Sequence, residues 1–151
     1  MTPPSSPPFS ESRAYAAVIV AWVAAQLIKI LRGTAREKRF NFRWLIDTGG
    51  MPSSHSAAVA SLTTTTGFYY GFGSVPFGIV LVFSLIIMFD AAGVRRAVGR
   101  QASILNYIMD DLEKQGRIEE RRLKELLGHT PVEVFVGAFL GVLISTVICL
   151  A

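Results

Sequence analysis

Apolar residues run almost unbroken from Ala14 to Leu31, interrupted only by Gln26 and Lys29. The run is long enough for a membrane-spanning helix, and Gly33 is its predicted end. A second stretch, Pro52 to about Phe72, is only weakly hydrophobic. Ala57, Ala58, Ala60, Ser61 and the threonine run 63–66 dominate it. Small and hydroxylated residues let helices approach closely in lipid, so this pattern predicts a central span buried in protein. Tyr69 and Tyr70 mark its far interface, and Gly71 to Ser74 read as a tight turn. Val75 to Phe89 is strongly apolar and, with Ala91 to Val94, reaches spanning length; Asp90 interrupts it. A last apolar run follows His129-Thr130-Pro131-Val132-Glu133 and continues to Ala151.

Between the third and fourth spans the period changes. Ala102, Ile104, Leu105, Ile108, Met109 and Leu112 recur at helical spacing, with Asp110, Asp111 and Glu113 on another face. This predicts an amphipathic helix over 101–112 that lies on the membrane or packs under the bundle. A second, highly charged helix is predicted over 118–127, closed by Gly128. The fold class is therefore all-α: a polytopic membrane helical bundle with about four spanning helices plus amphipathic helices at the cytoplasmic face. Residues 1–12, rich in Pro and Ser, read as a disordered tail without the pattern of a cleaved signal peptide. Residues 13–151 read as one membrane-embedded helical domain.

Composition agrees, with 51% hydrophobic residues among 151. The lone Cys149 excludes a disulfide framework or a cysteine metal site within one chain. The net charge of +4 is modest, and its placement matters more. The first loop holds Arg32, Arg36, Lys38, Arg39 and Arg43, and the third holds eight more, so thirteen of the fifteen basic residues share one face. The positive-inside rule makes that face cytoplasmic, or stromal in a plastid. Phe40, Phe42 and Trp44 in the first loop fit an interfacial segment, and so short a basic patch does not point to nucleic acid.

Candidate chemistry gathers on that same face. Thr48-Gly49-Gly50-Met51-Pro52-Ser53-Ser54-His55-Ser56-Ala57 combines a flexible approach, a proline suited to a first helical position, three hydroxyls and a histidine. Helix starts of this kind attract anions, above all phosphate. His129, the second of only two histidines, stands just before another helix start. Thr130 and Glu133 have capping-box spacing, which by itself accounts for Glu133. Lys29 reads either as a lysine in the last helical turn, snorkelling to the interface, or as part of a site. Asp90 reads either as half of a local pair with Arg95 or Arg96, or as a supporting residue of the site. Topology alone brings Lys29, Arg36, His55, Asp90, Arg95 and His129 to one membrane level. Several cations with two helix N-termini suit a dianion, and two histidines supply a nucleophile or base and an acid near neutral pH.

The segments 49–57, 90–96 and 124–134 resemble the divergent branch of the type 2 phosphatidic acid phosphatase family, which is related in motif to vanadium-dependent haloperoxidases. The likeness covers nearly the whole chain from Ala14. Lys29 and Arg36 keep the spacing of the family's first motif, with Glu37 where a proline is usual. Pro52-Ser53-Ser54-His55 matches the second, with Ser54 in place of glycine. In the third, His129 and Glu133 keep the histidine-to-acid spacing, whereas Leu123 stands where an arginine is expected. Arg95 or Arg96 is the candidate replacement, with Arg122 a weaker one. The resemblance implies His129 as nucleophile, Glu133 as its orienting acid and His55 as the acid for the leaving group. It implies Lys29, Arg36, Ser53, Ser54, Arg95 and Arg96 as phosphate-binding residues and Asp90 as a support. No cofactor or metal is expected. The expected partners are the membrane, a phosphorylated lipid or amphiphile, and in some form a second copy of the chain. Two functions fit: a metal-independent phosphatase, or a non-catalytic protein that uses the same cradle to bind anionic headgroups or scaffold partners.

Overall fold

The computed structural model describes residues 9–38, 50–114 and 128–151. These form helices α1 (Glu11–Glu37), α2 (Ser54–Tyr70), α3 (Val75–Phe89), a π-helical turn (Asp90–Val94), α4 (Arg95–Lys114) and α5 (Pro131–Leu150). Among the described residues, three helical stretches are long and apolar enough to cross a membrane: Glu11–Arg36, Val75–Asp110 and Pro131–Leu150. α2, with 17 residues, is not among them. It lies at the centre instead, packed on α5, α1 and α3, while α1 also packs on α5.

The centre is made of small side chains. On α1, Ala17, Ala21, Ala25 and Lys29 recur every fourth residue, so they share one face, and all are buried. On α5 the buried face is Gly137, Gly141, Ser145 and Cys149, again at fourfold spacing. A Cβ on Gly137 would strike the backbone of Ser53, and one on Gly141 the carbonyl of Ala57. α5 therefore lies backbone to backbone on α2, the close approach that small-xxx-small spacing permits in lipid. Threonines 63–66 turn their hydroxyls onto their own helix, Thr63 to the Val59 carbonyl at 2.8 Å and Thr64 to that of Ala60 at 2.9 Å. The four threonine hydroxyls are thus satisfied without water. Ser84 of α3 bonds to the Val59 carbonyl at 3.2 Å and to the Thr63 hydroxyl at 2.8 Å, joining α3 to α2.

Several boundaries differ from the sequence expectation. α1 begins at Glu11, inside the segment read as a tail, and Phe9 ahead of it is buried against Tyr69 with ring centroids 5.5 Å apart. Gly33 does not end α1. The helix runs to Glu37, and Lys38 adopts the left-handed conformation at φ 52°. Arg32 and Arg36 are therefore helical. Lys29 sits two turns before the end and is 6% exposed, which removes the snorkelling reading. Pro52 precedes α2 rather than opening it, because Ser53 takes the capping position. The tight turn at 71–74 is present, with the Ser74 amide on the Gly71 carbonyl at 3.1 Å.

No loop separates α3 from the amphipathic helix. The π turn carries α3 straight into α4, with Asp90 at its first position. Val75 to Val94 rises ~30 Å, about one hydrocarbon thickness, so the charged α4 begins where the bilayer core would end. The aromatic and basic residues of 39–49 and the charged helix expected over 118–127 fall outside the described residues.

Candidate functional site

Two helix starts and one long helix converge at one end of the bundle. At α2, Ser53 is the cap. Its Oγ accepts the Ser56 amide at 3.3 Å and the Ser56 hydroxyl at 3.0 Å. A serine in this position satisfies one of the first-turn donors that a helix cannot satisfy itself. The Ser54 and His55 amides belong to the same first turn. Ser53, Ser54 and Ser56 are buried, whereas the His55 side chain is exposed.

At α5 the capping box is complete. Thr130 Oγ1 accepts the Glu133 amide at 3.3 Å, and Glu133 Oε2 accepts the Thr130 amide at 3.0 Å. The same Oε2 lies 3.1 Å from Nδ1 of His129. Capping and orientation are thus performed by one carboxylate oxygen. A carboxylate on Nδ1 favours the tautomer that carries its proton there, and it stabilises an imidazolium. His129 is 4% exposed, with Nε2 shielded from solvent.

The two starts are tied together. The Ser53 amide donates to the Glu133 carbonyl at 3.0 Å. Gly137, one turn further along α5, has no side chain to hold Ser53 away from that carbonyl. The second and third motifs therefore meet through their backbones, His55 two residues beyond one end of this bond and His129 four residues before the other.

Lys29 comes from α1. A Cβ on Gly50 would stand 3.5 Å from Lys29 Cγ and 3.7 Å from Cδ, so the lysine stem runs along the approach to α2. Gly50 holds φ +93°, a backbone conformation that side chains disfavour. Arg36, exposed, lies two turns along α1 from Lys29, on the same helical face. The structure thus links Ser53, Glu133 and His129 directly, with Ser54 and His55 on the same helix start as Ser53 and Lys29 beside Gly50 on the approach to it. Asp90 begins the π turn, which touches α5. π turns within α-helices often occur at functional sites. The side chains of Arg95 and Arg96 fall outside the described residues, as do Arg122 and Leu123.

In sequence reasoning Gly50 is only part of a flexible approach, and Gly137 and the Ser53–Glu133 backbone bond are not singled out. The Gly137-x-x-x-Gly141 spacing was the available signal for the second. A bond between two backbones leaves no mark in a sequence.

The family model described as "Divergent PAP2 family" matches residues 10–144. An uncharacterized membrane protein, YuiD of Bacillus subtilis (strain 168), is 37% identical over 141 residues, covering 86% of this chain and 89% of the relative. No solved structure matches.

Proposed function

The chain belongs to the divergent PAP2 family, and from that premise we propose that it is a metal-independent phosphatase. Its substrate is a lipid phosphate or a similar phosphomonoester or pyrophosphate at the cytoplasmic membrane face. The observation that carries the reading is the backbone bond between Ser53 and Glu133, which binds the two histidine-bearing helix starts into one unit.

In this mechanism Lys29 and Arg36 hold the phosphate dianion, with the first-turn amides and hydroxyls of Ser53 and Ser54. Arg95 or Arg96 adds charge, and Asp90 supports the arrangement. Glu133 holds the Nδ1 proton of His129, so Nε2 is the attacking atom. A nitrogen–phosphorus bond forms as the bond from phosphorus to the leaving oxygen breaks. His55 gives that oxygen its proton. Water then attacks the phosphohistidine, His55 takes up a proton from it, and inorganic phosphate leaves with His129 restored.

A release assay decides between this function and headgroup binding without turnover. Purified protein should liberate inorganic phosphate from a phosphatidic acid or alkyl phosphate, undiminished by a chelator. Saturable binding of the same lipid without release would instead establish the non-catalytic protein. The sidedness is tested by labelling cysteines placed at Lys38 and Lys114. Both should resist an impermeant reagent added from outside, and strong external labelling would reverse the topology.

A further inference from the structure

We propose that the opposite end of the bundle carries a binding site for a quaternary ammonium group. There the start of α1 meets the end of α2 around a cleft of about 140 Å³. Glu11, Tyr15, Thr65, Thr66, Tyr69 and Tyr70 line it. The volume is well under the ~300 Å³ at which drug-sized pockets begin, and it suits a small headgroup.

The lining has one electrostatic sign. Tyr69 and Tyr70 stand with ring centroids 4.8 Å apart at 65°. Phe9 packs edgewise on Tyr69 and is 7% exposed, which braces that ring from outside the cleft. Aromatic faces carry negative quadrupole potential, and cations within about 6 Å of a ring centroid are attracted to them. Glu11 adds a full negative charge and interacts with the Tyr69 hydroxyl. Arg13, two residues further along α1, is within electrostatic range of Cys149 near the end of α5. An interfacial belt explains tyrosines at this level. It does not explain a half-open cleft that sets the first-turn carboxylate of α1 among them.

The threonines select the kind of cation. Thr65 and Thr66 both donate to the Leu62 carbonyl, at 2.9 and 2.7 Å, so their hydroxyls turn to the helix and their methyl groups form the wall. A primary ammonium has three N–H donors to satisfy. Methyl groups cannot accept them, and the Glu11 carboxylate, already engaged with the Tyr69 hydroxyl, meets that demand only in part. A trimethylated nitrogen has no donors and meets the same wall in van der Waals contact. Its source is either the headgroup of a choline lipid or a free quaternary amine. The site is independent of the phosphatase reading and stands or falls without it.

The test titrates the full-length protein in maltoside micelles with tetramethylammonium and with methylammonium at constant ionic strength, followed by calorimetry. Tetramethylammonium should bind saturably and several-fold more tightly. Tyr69→Leu should weaken it about tenfold, within the range of a partly desolvated cation–π contact. Glu11→Gln should weaken it about threefold, and Tyr69→Phe should retain it. Absence of saturable binding, or methylammonium binding equally well, would overturn the site. So would an unchanged affinity in a helical Tyr69→Leu protein. Should that variant lose its helicity, the amine selectivity of the native protein and the Glu11→Gln titration decide alone. A phosphocholine detergent that binds more tightly than choline and competes with tetramethylammonium assigns the lipid as source. Equal affinities assign the free amine.

Discussion

The starts of α2 and α5 use the same device for different ends. Each begins with a hydroxyl cap, Ser53 or Thr130, and each carries a histidine within two residues of it. At α5 the histidine lies before the cap, buried, with a carboxylate on Nδ1. At α2 it lies two residues after the cap, in the first turn, exposed. An imidazole fixed by a carboxylate and shielded from water suits a nucleophile that must attack along one line. An exposed imidazole at a helix start can exchange protons with solvent between turnovers. In the proposed mechanism, position relative to the cap is what separates the two roles.

The largest effect expected from breaking this asymmetry comes at the oriented histidine. His129→Ala should abolish any phosphoenzyme trapped by rapid alkaline denaturing quench, and residual trapping would move the nucleophile elsewhere. Glu133→Gln asks whether cap and orientation separate. Glutamine can still close a capping box, so thermal stability should change little. Turnover should fall on the order of a hundredfold, the low end for a positioned acid–base partner. Equal turnover in this variant would reduce Glu133 to a cap.

Arg36→Ala probes the proposed anion cradle. Vanadate affinity should fall by about 1.5–3 kcal/mol, the range for a charge-assisted hydrogen bond. An unchanged affinity would remove Arg36 from the site. Gly137→Ala tests the seam itself. A methyl group against the Ser53 backbone should destabilise the protein by ~1–3 kcal/mol, read as a lower thermal midpoint with lower turnover. Gly141→Ala, one turn further from the histidines, should share the first effect more than the second.

Much of the bundle was legible because lipid imposes strict rules. Apolar runs of spanning length, the Gly71 turn and the Thr130–Glu133 box each have one physical solution, and all appear. The end of α1 was misplaced because Gly33 weakens a helix without stopping it. The π turn was missed because hydrophobic period cannot tell one added residue per turn from a break. At the site, the motif residues could be read as candidates, and the double use of Glu133 could not. Capping-box spacing and histidine-to-acid spacing coincide on one residue, so the sequence presents two explanations where the fold uses a single oxygen for both. The meeting of Ser53 with Glu133 depends on side chains that are absent, at Gly137 and Gly141.

The division of labour between the two histidines is tested most directly by crossing variants with leaving groups. Turnover of His55→Ala and His129→Ala is measured on an alkyl phosphate and on a nitrophenyl phosphate. A nitrophenolate departs with little protonation, so His55→Ala should be partly spared on that substrate. On the alkyl phosphate it should lose on the order of 10²–10⁴-fold. His129→Ala should be inactive on both. Equal, small losses on both substrates in both variants would contradict catalysis by this pair and leave a headgroup-binding protein in its place.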